Sequence, residues 1–214
     1  PDFYDTDYTG SGGQAAFPGD WDLMSSGSYL NNSATPAGLT GIERQIANWA
    51  QPIELTTTAN GLSLPAINDS AVFYKIDLGN NNEFLMLEHR RKTRWDSYIP
   101  GEGMLIYHAQ QNRIDNWLEN GQNNINVTPS NRGWYIVPAT GNDAHTETGN
   151  APFPGISGNM NFTNLTTPAN TLMNGTPTNK PITSIQYQND SVITFNFMSD
   201  LPAVSTGAVT SLGA

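Results

Sequence analysis

The chain has 214 residues, a net charge of −10 and no cysteine. This length can bury one large or two small hydrophobic cores, and a hydrophobic fraction of 37% is too high for a disordered chain. Disulfides, thiolate metal sites and cysteine nucleophiles are excluded, and nine basic residues are too few to follow a phosphate backbone, so we expect no nucleic-acid partner. No apolar run approaches the roughly 20 residues that cross a bilayer, so we expect no membrane span.

Residues 1–35 are rich in Gly, Ser, Asp and aromatic side chains and follow neither a helical nor a strand period. The aromatic side chains argue for an ordered irregular segment, and ordered segments of this length are usually functional. Asp2, Asp5 and Asp7, with Asp20 and Asp22 a loop away, could supply the oxygen ligands that calcium prefers. Asp and Gly also form ordinary turns, so the residues alone leave both interpretations open.

A helix is predicted over residues 37–50. Thr40 and Glu43 have the T-x-x-E spacing of a capping box, and Pro52 follows the segment. Apolar residues recur at i, i+4 and i+7, namely Ile42, Ile46 and Trp49. This spacing places them on one face of the helix.

Seven short segments rich in β-branched and aromatic residues follow this helix, separated by Asn, Gly and Pro clusters. They are LSLPAI, AVFYKIDL, EFLMLEHR, GMLIYHAQ, GWYIVPA, ITSIQYQ and SVITFNFM. The last two alternate apolar and polar residues and predict a hairpin turned at Asn189 and Asp190. We therefore predict a mainly β fold with one or two helices, an antiparallel β-sandwich-like domain over residues 52–198, and a linker or added strand over 199–214.

The three histidines are His89, His108 and His145. None has the H-E-x-x-H spacing of a self-contained zinc site. His89 and His108 each lie near the end of an apolar strand, so they either meet across a sheet or are ordinary polar strand ends. The basic patch His89–Arg94 either attracts an acidic ligand or partner domain or forms a solvated loop.

Four acidic residues lie near aromatic side chains in the middle of the chain, namely Glu83, Glu88, Asp96 and Glu102. A pair of such carboxylates could perform glycoside hydrolysis. Acidic residues scattered on strands more often face solvent, and this interpretation is the one we favour.

Five segments, taken in order, resemble the secreted immune-inhibitor-A-like zinc metallopeptidases. They are PDFYDTDYTGSGG, WDLMSSGSY, EFLMLEHR, WDSYIPGEGMLIYHA and ITSIQYQNDSVITFNF, and they extend from residue 1 to about 198. In that family the zinc motif reads H-E-x-x-H-x-x-G-L-P-D, and this chain starts with the last two letters. The resemblance implies that both histidines and the general-base Glu lie upstream.

The resemblance also assigns roles within the chain. Asp2 matches the third zinc ligand, and Met24 matches the methionine turn beneath the zinc of metzincin-like peptidases. Without the resemblance, Met24 would be an ordinary core methionine. Three positions depart from the family pattern: Tyr107 stands for Trp, Gln110 for Asp and His89 for Asn, which puts in doubt any calcium-binding or positioning role of those residues.

The resemblance implies the C-terminal portion of an exported zinc endopeptidase, secreted or at the surface of a bacterial cell, that cleaves polypeptide substrates. Residues 1–51 would be the lower catalytic subdomain, with zinc shared with the upstream catalytic half and calcium as a further cofactor. The isolated chain would be inactive. A different class of function is a β-sandwich module that binds carbohydrate or protein through Trp95, Trp117 and Trp134, and a third is a pseudoenzyme without the upstream histidines.

Overall fold

The computed structural model describes residues 2–4, 17–142, 149–189 and 191–199. Asp5 and Asp7, which are the expected calcium ligands, lie outside the described residues, as does His145. The same holds for residues 200–214, and therefore for the expected linker or added strand.

The described residues form eight strands and three α-helices. The strands are β1 Ile53–Glu54, β2 Ala59–Pro65, β3 Tyr74–Asp77, β4 Glu83–Arg90, β5 Gly103–Gln110, β6 Trp134–Ile136, β7 Ile182–Asn189 and β8 Val192–Phe197. The helices are α1 Gly41–Ile46, α2 Ile67–Ser70 and α3 Gln111–Asn120. The prediction of a mainly β fold is confirmed, although the structure has more helices than the one or two predicted.

The strands form two sheets. The larger has the order β1-β3-β4-β5-β6, in which β1 and β3 are parallel and the other pairs are antiparallel. The smaller has the order β2-β8-β7 and is antiparallel throughout. The predicted pairing of these two strands is confirmed, because β7 and β8 are antiparallel partners up to Asn189 and Val192. Asp190 of the predicted turn lies outside the described residues.

The larger sheet is covered on both faces because side chains alternate along its central strands. On β4, Leu85 and Leu87 point to a core shared with the smaller sheet, where Ile193 and Phe195 also lie. Phe84, on the opposite face, belongs to a second core. Every residue of β4 and β5 is therefore buried, which gives a sandwich with a third layer outside the larger sheet.

The third layer comes from the N-terminal segment together with α1 and α3. Phe3, Trp21 and Ile42 belong to the second core, as does Ile114 of α3. The irregular segment before α1 is thus held against the larger sheet by apolar packing. Among the described helices, none has the length and apolar character needed to cross a bilayer.

Helix α1 is shorter than the helix predicted over residues 37–50. The predicted capping box is present, because the Thr40 side chain accepts from the Glu43 amide and the Glu43 side chain accepts from the Thr40 amide. At the other end Asn48 adopts a left-handed conformation with φ of 57°, which ends a helix. The helix therefore spans Gly41–Ile46 alone.

Helix α3 was not predicted from the sequence. Ile114 and Trp117 are spaced to face the second core, and Gly121 ends the helix with φ of 66°. The segment is rich in Asn and Gln, which weakens its apolar period. Gly121, a residue type that often ends helices, was the sequence signal that could have indicated α3.

Candidate metal centre and the buried side chains around it

Asp2 and Met24, the two residues that the resemblance places near zinc, line the same cavity of about 390 Å³. The amide of Phe3 donates a 2.9 Å hydrogen bond to the carbonyl of Met24. Phe3 is fully buried and anchors this contact in the core. Met24 itself is 36% exposed, so it is a cavity-wall residue and not an ordinary core methionine.

The carboxylate of Asp2 is oriented by Asn123, which follows α3. Asn123 Nδ2 donates to Asp2 Oδ2 at 2.6 Å, and the Asp2 amide donates to Asn123 Oδ1 at 2.9 Å. The Tyr4 hydroxyl lies 3.5 Å from the same carboxylate oxygen. Sequence reasoning missed Asn123 because it lies in a loop without any motif, 121 residues from its partner.

A carboxylate that accepts a hydrogen bond from a neighbouring amide is well placed to coordinate a metal ion, because this hydrogen bond fixes the direction of the carboxylate oxygens. In the described part of the chain, no three His, Cys, Asp or Glu side chains lie together so as to hold a metal ion. Asp2 could therefore supply one ligand, and any further ligands would have to come from other residues.

A buried ionic network lies between the N-terminal segment and β4. Arg90 donates from Nε and Nη2 to the Asp96 carboxylate, and from Nη1 to Glu88 at 3.0 Å. It also donates to the carbonyls of Trp21 and Gly38. All three charged side chains are fully buried. The interpretation of Glu88 and Asp96 as solvent-facing is therefore wrong.

The residues of the basic patch His89–Arg94 differ in burial. Arg90 belongs to the interior network, whereas the Arg94 side chain is exposed and lies 3.2 Å from Asp69. The solvated-loop interpretation thus holds for Arg94 and fails for Arg90. Because Glu88 and Asp96 are both bonded to Arg90 in the core, they are not poised for glycoside hydrolysis.

Glu88 also accepts hydrogen bonds from the Gly41 amide at 2.6 Å and the Tyr107 hydroxyl at 2.9 Å. Tyr107 stacks on Trp134 with ring centroids 4.4 Å apart. Burial raises the pKa of Tyr107 well above its ordinary value, and the Glu88 charge adds to this effect. The tyrosine that departs from the family pattern therefore serves as a neutral donor to Glu88.

Asp22 and Glu43 are two further buried acids beside this network. Burial raises the pKa of Asp22 well above its ordinary value, and the charge of Glu43 raises it further. Burial also raises the pKa of Glu43. Within the described structure Asp22 Oδ2 and Glu43 Oε1 have no hydrogen-bond partner. Burial thus favours the neutral form of both carboxyl groups.

The histidines His89 and His108 do not meet across the sheet. His89 on β4 pairs with Met104, whereas His108 on β5 pairs with Leu85, so the two lie toward opposite ends of the strand pair. The Nδ1 atom of His89 lies 3.2 Å from the Leu64 carbonyl and donates to it. Burial lowers the pKa of His89 to about 4, so its imidazole is neutral.

The tryptophans proposed for a binding module differ in exposure. Trp134 is fully buried and Trp117 is partly buried, so neither forms an exposed platform. Trp95 is 60% exposed and, together with the exposed Trp49, lines an apolar cavity of about 460 Å³. Sequence reasoning missed Trp49 because it placed this residue with Ile42 and Ile46 on one face of the helix predicted over residues 37–50.

Two comparisons with known proteins found no match to this chain. No protein-family model matches the chain, and no curated protein is significantly similar to it. The functional assignment therefore depends on the residues, their geometry and the resemblance described above.

Proposed function

We propose that this chain is part of an exported zinc endopeptidase that hydrolyses peptide bonds in extracellular proteins, with Asp2 as one zinc ligand. The observation that carries the proposal is that Asp2 and Met24 line one cavity. The resemblance assigned roles to these two residues from their motifs alone. Their proximity is the arrangement that a zinc ligand above a methionine turn requires.

The environment of Asp2 supports this role. Its Oδ2 atom accepts from Asn123 and lies beside the Tyr4 hydroxyl, so the side chain is oriented before a metal arrives. The Phe3–Met24 backbone hydrogen bond holds the cavity wall at a fixed position beside it. A rigid ligand costs less conformational entropy on metal binding than a mobile one.

The proposal assigns the other two zinc ligands and the general base to a segment upstream of this chain. In this proposal an H-E-x-x-H motif in that segment supplies them, and bound zinc would polarise the scissile carbonyl. Residues 1–51 would form the lower catalytic subdomain, and residues 52–198 would support it through the contacts of Arg90. The isolated chain is expected to be inactive. Calcium binding by Asp5 and Asp7 stays a prediction.

Proteolysis by a polypeptide that also carries the proposed upstream H-E-x-x-H segment tests the proposal. Asp2→Ala should abolish hydrolysis of a denatured protein substrate and lower the zinc content together. The matched control is Asp115→Ala, which removes a carboxylate that accepts from Gln111 on α3 and should leave both unchanged. Full activity in the Asp2→Ala protein would contradict the assignment.

A second candidate is a binding module without catalysis, and the exposed Trp49 and Trp95 beside the 460 Å³ cavity favour it. Exposed aromatic rings bury large apolar areas on binding and are frequent anchors. A glycan-affinity screen of the 214-residue chain tests this candidate. Micromolar sugar binding that is lost in Trp95→Ala would support the module, and no binding would remove it.

A further inference from the structure

The apolar cavity of about 460 Å³ has two exposed tryptophans in its wall, and we call it the tryptophan cavity. Trp49, which follows α1, is 74% exposed, and Trp95, which follows β4, is 60% exposed. A soluble protein seldom exposes large apolar side chains together unless they bind something. The volume lies within the range of small-molecule pockets, so this cavity is a candidate ligand site.

The backbone of each tryptophan is anchored. The Trp49 amide donates to the Arg44 carbonyl at 2.9 Å. Trp95 lies in a short 3-10 helix, and the next residue of that helix, Asp96, is bonded to the buried Arg90. Both indole rings are therefore presented on a fixed backbone, which lowers the conformational entropy lost when a ligand orders them.

The rest of the wall is mainly aliphatic. Leu23, Pro36, Leu39, Ala50 and Ala71 line the cavity from separate parts of the chain. These side chains stabilise a ligand through the apolar area that is removed from water, and they offer it no hydrogen bond. We therefore expect a ligand whose body is apolar.

The polar groups of the wall are already paired within the chain. The Gly38 amide donates to Asp96 Oδ1 at 2.8 Å, and the Gly38 carbonyl accepts from Arg90 at 3.1 Å. Asn68 Nδ2 donates to Asp96 Oδ2 at 2.5 Å, and Asn68 Oδ1 accepts from Arg44 at 2.8 Å. A ligand rich in hydroxyl or peptide groups would lose hydrogen bonds to water and find few partners in this wall.

The charge of the wall does not suit a cation. Among the described residues that line the cavity, Arg44 carries a charge and none is acidic. The Arg44 guanidinium donates to the carbonyls of Leu39 and Ile67 and to Asn68 Oδ1. A cationic ligand would give up its hydration without gaining a carboxylate partner from these residues.

We infer that the tryptophan cavity binds a small neutral aromatic molecule, whose rings contact Trp49 and Trp95. Aromatic rings attract one another in offset or edge-on arrangements, beyond the effect of the area that they bury. A ligand of one or two fused rings suits both the aromatic and the aliphatic parts of the wall. This inference does not rest on the zinc centre, and its ligand differs from the sugar of the second candidate function.

NMR of the ¹⁵N-labelled 214-residue chain tests this inference, with indole as the probe. The chain has five tryptophans and therefore five indole N–H groups. Millimolar indole should shift the signals of Trp49 and Trp95 and leave those of the buried Trp21 and Trp134 unchanged, with a Kd of about 1 mM or lower. Absence of a shift at both Trp49 and Trp95 would overturn the inference.

Two further ligands carry the same ring with different attached groups. Tryptamine, which has an ammonium group, should bind about fivefold more weakly than indole or worse, because no carboxylate is among the described lining residues. N-acetyltryptophanamide, which has two peptide groups beside the ring, should be weakened to a similar extent, because these groups would find few partners. Equal or tighter binding of either would overturn the inference, and in the second case would assign the cavity to an aromatic side chain of a polypeptide.

Variants place the ligand in the cavity. Ala50→Leu fills part of the cavity and should weaken indole binding about tenfold or more, whereas Ala47→Leu enlarges an exposed side chain outside the described wall and should bind indole normally. Trp95→Ala should weaken binding about fivefold, and Tyr98→Ala, which removes another exposed ring of the same short helix, should not. Unchanged affinity in Ala50→Leu or Trp95→Ala, or lost affinity in either control, would overturn the inference.

Discussion

Arg90 donates two parallel hydrogen bonds to Asp96, from Nε to Oδ2 at 2.7 Å and from Nη2 to Oδ1 at 2.5 Å, with both side chains fully buried. The same guanidinium binds the carbonyls of Trp21 and Gly38. A single residue at the end of β4 thus joins the irregular N-terminal segment to the larger sheet.

We expect Arg90→Met to destabilise the chain by about 3–5 kcal/mol, because the methionine fills similar space but leaves Glu88 and Asp96 buried without their cation. Arg94→Met, which removes the exposed partner of Asp69, should change the free energy of unfolding by less than about 1 kcal/mol. Urea denaturation of both variants measures the difference. Similar small losses in the two would show that the buried network does not join the layers.

The Asp22–Glu43 pair should make stability fall as the pH rises. Both pKa values are raised in the folded chain, so the folded state holds a proton that the unfolded state releases. This contribution is complete below the ordinary values of 3.8 and 4.5 and is lost as the pH rises toward the raised values.

Asp22→Asn tests this dependence. The asparagine Oδ1 can still accept from the Met24 amide, as Asp22 Oδ1 does, and it carries no charge. The variant should therefore gain stability relative to the parent chain as the pH rises above the ordinary carboxyl value. A difference between Asp22→Asn and the parent chain that does not change with pH would contradict the raised pKa of Asp22.

His89 should make stability fall in the opposite direction, as the pH is lowered. Its pKa is depressed by burial to about 4 from 6.5, so the unfolded chain binds a proton first. The stability that His89 contributes is present above pH 6.5 and decreases by about 3 kcal/mol as the pH falls to 4. Two-dimensional NMR of the imidazole should show neutral His89 with a protonated Nδ1 at pH 5.5, and a titration midpoint near 6.5 would exclude this.

Asn126 is predicted to be intolerant of change although it lies in an N-x-T triplet. Its Nδ2 atom donates to the carbonyls of Phe3 and Trp134, and its Oδ1 atom accepts from the Gly133 and Trp134 amides. Asn126→Asp removes both donors and should cost about 2–4 kcal/mol.

Asn112→Asp is the matched change at an exposed position in the first turn of α3. A negative charge is favourable there, so this variant should be as stable as the parent chain in urea denaturation. Equal stability of Asn126→Asp and Asn112→Asp would refute the structural role of Asn126. A glycan on Asn126 would be equally incompatible with the buried side chain.

Local patterns predicted the strands well. EFLMLEHR and GMLIYHAQ coincide with β4 and β5, because a short apolar run bounded by turn residues can be recognised from neighbouring residues alone. The capping box at Thr40 was predicted for the same reason. Helix α3 was missed because its polar composition obscures the spacing of Ile114 and Trp117.

Long-range contacts could not be derived from the sequence. Nothing in HRRKTRWD distinguishes the buried Arg90 from the exposed Arg94, since their environment depends on the carbonyls of Trp21 and Gly38. The same limit applies to the hydrogen bond between Asn123 and Asp2, whose partners are far apart in the chain. Neighbouring residues are enough to predict strands and helix caps. The environments of Arg90 and Asp2 depend on residues that are distant in the sequence.

Zinc stoichiometry tests the central proposal most directly. Elemental analysis after dialysis against a weak chelator should find no zinc in the 214-residue chain, because in this proposal two of the zinc ligands belong to an H-E-x-x-H segment outside it. A polypeptide that also carries the proposed H-E-x-x-H segment should retain about one zinc per chain and lose it in Asp2→Ala. Zinc retained by the 214-residue chain, or by the longer Asp2→Ala protein, would contradict the assignment of Asp2 as a ligand shared with an upstream motif.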